Sequence, residues 1–382
     1  MKDLLDLSLD ELRSVLASWG EPPFRVQQVW EWVWKHLATD FRQMTSLPTR
    51  LRARLADAFT VAVPGVAARQ ADDQGTEKVL LRLADGQAVE AVLIREGDRR
   101  TVCISTQVGC PVGCAFCATG AMGYRRDLTA GEIAAQVLHF ARALQPRGER
   151  VTHVVVMGMG EPLLNYDATL KAIRNLNDGQ GFALGARRFT VSTIGVVPGI
   201  HRLAGEGLQV NLAISLHAPD DALRRELVPL GKRWSIREVL AAGDHYARAT
   251  GRRVSYEYVL LAGVNDRLDQ ARALAALLRG KLAHVNLIPF NPAPGLPFQR
   301  PDPRSVDAFR QELVLRGVDA TVRRSRGVEI QAGCGQLRGQ GSRAVSLRSP
   351  SCLSEGEQDG RWGAPAANAD RGEGERSVEP NG

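Results

Sequence analysis

Beyond residue 105 the chain alternates between short apolar runs and longer stretches of helical period, and that alternation leaves few folds open to it. Strand-like runs at about 152–158, 189–194, 210–216, 254–260 and 284–289 are separated by helical stretches near 129–145, 166–177, 199–206, 235–249, 266–279 and 304–316. With the strand that ends near residue 105 this makes six strand–helix units, and a final short strand is expected near 320–324. Strands joined through helices run parallel, so the natural solution is a parallel α/β sheet curved into a partial barrel. An open sheet with helices on both faces is the alternative.

Residues 1 to about 60 read as helices. Ser8 and Glu11 have capping-box spacing, and Leu9, Leu12, Val15 and Leu16 follow on one face. A second helix begins near Pro23 and carries Val26, Val29, Trp30, Val33, Trp34 and Leu37; a third follows Pro48, with Leu51, Leu55 and Phe59 inward and Arg50, Arg52 and Arg54 beside them. Four of the six tryptophans lie between Trp19 and Trp34, as the core of a small domain or as platforms for nucleic-acid bases. From Thr76 the period changes to strand: 78–83, an Asp85-Gly86 turn and 88–94 form a hairpin, followed by a strand at 101–105. Glu90 interrupts the apolar run 88–94, either facing solvent or held in a dry place for a purpose. After Arg338 apolar periodicity stops, so 339–382 reads as a disordered tail; Cys352 lies in it and is assigned no role. The expected organisation is a helical accessory domain over 1–70, a β-hairpin extension over 71–100, the barrel over 101–338 and the tail over 339–382.

Three cysteines, Cys110, Cys114 and Cys117, sit in the Cys-x3-Cys-x2-Cys loop between the first strand and the first long helix of the barrel. Structural zinc sites and ordinary four-iron clusters take four protein ligands, so three thiolates without a nearby fourth imply an open coordination position. A zinc knuckle completed by a distant Cys or His is the competing reading. Gly109 and Gly113 allow unusual backbone conformations around the loop, and Phe116 is placed to shield a cluster. No apolar signal segment opens the chain and no run approaches about 18 uncharged apolar residues, so a cytoplasmic, reduced protein away from membranes is expected.

Net charge is +7, and without 339–382, which hold 5 arginines and 7 acids, the remaining 44 basic and 35 acidic residues give +9. That excess suits a polyanion such as RNA. The pairs Arg99-Arg100, Arg125-Arg126, Arg187-Arg188 and Arg323-Arg324 are candidate phosphate contacts, or simply solvated faces.

Active sites of parallel barrels gather at the carboxyl ends of the strands. After the run at 152–158 comes Gly158-Met159-Gly160-Glu161-Pro162, where two glycines are expected to let backbone approach a ligand and Glu161 can meet an ammonium group. Later strands deliver Ser192 and Thr193, then Ser215, Leu216 and His217, then Asn291, all at the same ends.

These motifs, with Asn286-Leu287-Ile288-Pro289-Phe290-Asn291-Pro292 and Cys334-Gly335-Gln336-Leu337, resemble those of the bacterial dual-specificity RNA methyltransferases that act on carbon 2 of adenine, within the radical S-adenosylmethionine superfamily. The likeness spans about residues 1–338. It implies a partial (β/α)6 barrel and one [4Fe-4S] cluster per chain on Cys110, Cys114 and Cys117. It also implies contacts to S-adenosylmethionine from Gly160, Glu161, Ser192, Ser215, Leu216, His217 and Asn291. It assigns Cys334 as the cysteine that becomes S-methylated, Glu90 as proton acceptor and Cys103 as the resolving partner in a transient disulfide. Two S-adenosylmethionine molecules are used per turnover, and a deoxyadenosyl radical drives an RNA–protein adduct. Implied substrates are an adenosine of 23S ribosomal RNA and adenosine 37 of a subset of transfer RNAs, with a donor such as flavodoxin and a monomeric enzyme. A related class that methylates carbon 8 shares the machinery, and a non-catalytic metal-binding RNA-binding protein is the alternative from outside enzymology.

Overall fold

Local capping decides where the first helix starts. Ser8 Oγ accepts from the Glu11 amide at 3.2 Å and the Glu11 carboxylate accepts from the Ser8 amide at 2.6 Å, at the head of α1 (Leu9–Ser18). The structure, a computed structural model, describes residues 1–323 and 326–337; Arg324 and the segment expected to form a tail, with Cys352, lie outside the described residues. α2 (Phe24–Trp34) buries Val26, Val29, Trp30, Val33 and Trp34, and α3 (Thr49–Ala58) buries Leu51 and Leu55. Leu37, expected on α2, lies past its end at φ 60°, where its carbonyl accepts from Arg142 Nε at 3.0 Å. Two-residue strands β1 (Lys2–Asp3) and β2 (Phe59–Thr60) pair in parallel and tie the ends of this segment together. Trp30 and Trp34 are buried with ring centroids 5.2 Å apart, and Trp30 Nε1 donates to Asp178 at 3.0 Å, which makes them core rather than base platforms.

β3 (Gly65–Ala71), β4 (Glu77–Arg82), β5 (Ala88–Glu96) and β6 (Arg99–Cys103) form an antiparallel series. β7 (Gln107–Gly109) and β8 (Tyr124–Asp127) form a separate ribbon that brackets the cysteine loop and the single turn α4 (Ala118–Ala121). The alternation then runs α5 (Ala130–Leu144), β9 (His153–Val156), α6 (Tyr166–Asn177), β10 (Phe189–Thr193), α7 (Val197–Ala204), β11 (Asn211–Ser215), α8 (Asp221–Leu227), α9 (Ile236–Thr250), β12 (Val254–Leu260), α10 (Leu268–Leu278), β13 (Ala283–Pro289), α11 (Pro303–Leu315) and β14 (Ala320–Val322).

In the main sheet β6, β9, β10, β11, β12, β13 and β14 are consecutive parallel neighbours, and β5, β4 and β3 continue it past β6. The ten-stranded sheet has β14 at one edge and β3 at the other, so the barrel is partial and unclosed. The hairpin expected at 78–94 is therefore an antiparallel wing of the same sheet. β3 was not foreseen, because every one of its residues is exposed and no apolar alternation marks it.

One buried apolar core joins the N-terminal helices to the sheet and its helices. The N-terminal segment docks through polar contacts as well: Asp6 accepts from the Gly131 amide at 2.7 Å, and Asn175 Nδ2 donates to the Leu7 carbonyl at 3.0 Å. A second, smaller cluster of Val112, Phe116, Leu227, Val228, Val259, Leu261 and Phe290 packs against the three loop cysteines at the carboxyl ends of the strands. Members of the arginine pairs are engaged within the chain. Arg100 binds Glu149 at 2.9 Å, and Arg126 bridges Asp85 and Glu132, both at 2.7 Å.

Candidate active site

The cysteine loop is held at three points. Gly109, at φ 77°, takes the chain out of β7 through a register shift, and the Cys110 amide donates to the Gly123 carbonyl at 3.0 Å. The Ala115 amide donates to Leu227 at 3.0 Å, fixing the loop to the end of α8. On its far side the Ala118 amide donates to Gly335, and Thr119 Oγ1 donates to Leu337, both at 2.8 Å, so the turn carrying Cys334 is bound directly to the loop. Cys110, Cys114, Cys117 and Cys334 line a single cleft.

Burial pushes the Cys110 thiol up to about 12 and the Cys114 thiol well above the usual range, and it raises Cys117 as well. Thiolates in so dry a place need a bound cation to exist. Three soft thiol donors gathered on one cleft suit an iron–sulfur cluster.

Across the cleft, Glu161 is buried and its carboxylate accepts from the Leu163 amide at 3.1 Å and the Ile194 amide at 2.8 Å. Burial still dominates and raises its pKa to about 7. The preceding glycines have a use beyond the one expected. A Cβ on Gly158 would lie 2.7 Å from the Ile104 carbonyl, and one on Gly160, at φ 102°, would lie 2.7 Å from the Gln107 side chain. Their bare faces pack on the segment between β6 and β7, and although both residues line the cleft, it is this internal packing that demands glycine.

Ser192 and Ser215 line the cleft from β10 and β11. Leu216 is fully buried and does not line the cleft; its amide donates to the Glu257 backbone carbonyl at 3.0 Å. His217 takes a left-handed conformation, φ 62°, uncommon for a side-chain-bearing residue and a mark of functional sites. Its Nδ1 accepts from the Val259 amide at 3.0 Å, which assigns the ring proton to Nε2. Burial, with Arg224 adding to it, lowers its pKa to about 3, so the ring is neutral. Phe116 meets it edge-on at 4.7 Å. Asn291 lies behind the cleft wall, where Nδ2 donates to the Cys334 carbonyl at 3.3 Å.

Cys103, at the end of β6, is a free thiol that burial raises to about 12, with Cys334 the next contribution. Glu90 does not line the cleft. It is 2% exposed and pairs with Lys78 Nζ at 3.2 Å, while the same ammonium donates to the Gln331 carbonyl at 3.3 Å. Glu90 is thereby linked through Lys78 to the segment that carries Cys334. Two charged cleft residues were not assigned to this site from sequence: Glu257 on β12, and Arg323 just after β14, which was read only as one of an arginine pair suited to phosphate or solvent. Glu257 carried a usable signal, since it interrupts an apolar strand as Glu90 does.

Comparison with known proteins agrees with this geometry. Residues 104–275 match the radical SAM superfamily, and residues 2–61 match the ribosomal RNA large subunit methyltransferase N-terminal domain. A probable dual-specificity RNA methyltransferase RlmN of Symbiobacterium thermophilum is 50% identical over 339 residues, covering 88% of this chain and 91% of that protein. Its counterpart in Chloroflexus aurantiacus is 50% identical over 350 residues, covering 89% and 93%. The crystal structure of a radical SAM methyltransferase from Sphaerobacter thermophilus superposes with a TM-score of 0.87 at 52% identity, covering 89% of this chain and all of that one. Membership of the superfamily implies a [4Fe-4S] cluster and S-adenosylmethionine, for which the three-thiol loop has the right donors. The chain belongs to the RlmN family of radical SAM enzymes and is an RNA methyltransferase.

Proposed function

We propose that the enzyme methylates carbon 2 of an adenosine in 23S ribosomal RNA and of adenosine 37 in a subset of transfer RNAs, through a methylated Cys334. The observation that carries this reading is the turn bearing Cys334, bound to the cysteine loop at Ala118 and Thr119 so that a fourth, non-loop thiol lines the same cleft. The relatives named for dual-specificity RNA methylation support the choice of substrates.

Cys110, Cys114 and Cys117 would hold the cluster, and Gly160, Glu161, Ser192, Ser215, Leu216, His217 and Asn291 would surround S-adenosylmethionine. When bound, these groups supply a methyl donor and a one-electron source for carbon-centred radical chemistry. Such chemistry suits carbon 2, which lies between two ring nitrogens and is too electron-poor to attack a sulfonium. Cys334 Sγ takes the methyl group and, after addition to the base, carries the RNA as a thioether. Glu90 accepts the carbon-2 proton, with Lys78 tying it to the neighbourhood of Cys334. Cys103, having lost its thiol proton, then attacks Cys334 Sγ: a sulfur–sulfur bond forms and the carbon–sulfur bond breaks, with its electron pair leaving on carbon. That carbon takes up a proton to complete the methyl group, so that methylated RNA departs. A reductant such as flavodoxin supplies electrons, and the enzyme works as a cytoplasmic monomer. Among the described residues no helix is long and apolar enough to cross a membrane.

The test separates the two cysteines in time. Cys334→Ala should retain the cluster yet give neither product nor adduct. Cys103→Ala should accumulate a nuclease-sensitive RNA–protein crosslink on a denaturing gel. If the two variants behave alike, or Cys103→Ala turns over normally, the resolving role is wrong.

A further inference from the structure

Glu257 sits at the middle of β12, 3% exposed, in a strand whose other residues, apart from the half-buried Ser255, are buried apolar and aromatic side chains. Its Oε1 accepts from Asn286 Nδ2 at 2.8 Å, Asn286 Oδ1 accepts from Thr321 Oγ1 at 3.1 Å, and His284 Nε2 lies 2.9 Å from that hydroxyl. This chain crosses β12, β13 and β14 and fixes the plane of the carboxylate. Oε2, by contrast, is buried without a hydrogen-bond partner. Arg323 Nη1 stands 3.8 Å away, beyond hydrogen-bond range, and faces Met157 Sδ, a weak acceptor, at 3.5 Å. The Arg323 side chain is 30% exposed and opens on the cleft that Glu257 and Cys334 also line.

A buried carboxylate oxygen without a donor is expensive, and native proteins rarely leave one unless something else completes it. Here an acceptor without a donor stands beside a guanidinium with donors to spare, so the complementary ligand presents an N–H next to a ring acceptor. Adenine has that pattern on its edge, an exocyclic amine beside a ring nitrogen; cytosine at N4 and N3 and guanine at N2 and N3 have it too, and the proposed reaction selects adenine among them. We propose that Glu257 and Arg323 grip an adenine edge, Glu257 Oε2 accepting from the amine and the guanidinium donating to the adjacent nitrogen. The inference rests on the proposed reaction, which brings two adenines to this cleft, that of S-adenosylmethionine and that of the target nucleotide.

Two arms distinguish these sources, using Glu257→Gln, which keeps the side-chain shape, and Arg323→Met, whose side chain opens on the cleft. Both are loaded with cluster, and iron content and unfolding midpoint are checked against the parent. In the first arm, equilibrium dialysis measures the Kd for S-adenosylmethionine alone. In the second, kcat/KM is measured on a ribosomal RNA transcript with adenosine or purine riboside, which lacks the amine, at the target position. A rise in Kd of roughly tenfold or more in both variants assigns the pair to the cofactor's adenine. Unchanged Kd with a comparable fall in kcat/KM, and no further loss in Glu257→Gln when the amine is removed, assigns it to the target base. Unchanged values in both arms, or an amine deletion that penalises Glu257→Gln as heavily as the parent while Kd is unaltered, overturn the inference. A parent enzyme that leaves the RNA unmethylated refutes the proposed reaction instead; unchanged Kd in both variants then overturns the pairing too. Should Glu257→Gln fail to fold, Arg323→Met decides alone by the same two readings.

Discussion

Gly109→Ala should damage the cysteine loop far more than Gly113→Ala, although both glycines are left-handed, at φ 77° and 69°. For an L-residue that conformation costs about 1–2 kcal/mol. Around Gly113 nothing lies within 4 Å of an added Cβ, so the conformational term is the whole effect. At Gly109 the added Cβ would lie 1.8 Å from the Gly123 carbonyl oxygen and 2.9 Å from its carbon. Those are backbone atoms and cannot swing aside. The same oxygen accepts from the Cys110 amide at 3.0 Å, so retreat of Gly123 breaks the bond that orients the first cysteine. Overpacking adds about 1–3 kcal/mol and the lost bond about 1 kcal/mol. Gly109→Ala should therefore be roughly 2–4 kcal/mol less stable than Gly113→Ala, a gap of roughly 3–5 °C in Tm for a chain of this size. Circular dichroism melts of the apo-proteins measure the gap, and iron per chain after reconstitution reads the loop. Equal melting and equal iron in the two variants would refute the argument that the β7–β8 crossing sets the loop.

Lys78→Met removes the cation from a pair whose side chains are 7% and 3% exposed, and should cost about 3–5 kcal/mol; adding Glu90→Gln should restore much of it. Urea midpoints of the single and double variants test this, and a single variant as stable as the parent contradicts it. Glu161 has its pKa raised from 4.5 to about 7 in the apo-protein, so the native state holds its proton more tightly than the unfolded chain does. That contribution is fully present below pH 4.5 and is lost as pH rises through 7, a swing of roughly 3 kcal/mol. Glu161→Gln should flatten the pH dependence of apo-protein stability over that window; an unaltered slope shows that the carboxylate is not buried as described.

The sequence announced the six strand–helix units because buried parallel strands and amphipathic helices leave strong periods, and the cysteine spacing announced the loop between the strand and the helix of the first unit. β3 left no mark because it is an exposed edge strand, paired by backbone alone. α8 is a seven-residue helix capped by Asp220, so its period was too short to read. Gly158 and Gly160 line the cleft, but their close packing against 104–107 was not legible, because one-dimensional spacing cannot tell which neighbour a missing Cβ accommodates. Glu257 and Glu90 interrupt apolar strands alike. The first lines the cleft and the second lies behind it with Lys78, a difference that only tertiary structure supplies.

The most direct test of the central claim is nucleoside mass spectrometry of 23S ribosomal RNA and transfer RNA from cells with and without this gene. The proposed reaction predicts that 2-methyladenosine is present in both RNAs of the parent, is lost from both in the deletion strain and returns with the wild-type gene but not with Cys334→Ala. Unchanged 2-methyladenosine on deletion, or loss of 8-methyladenosine in its place, would contradict it.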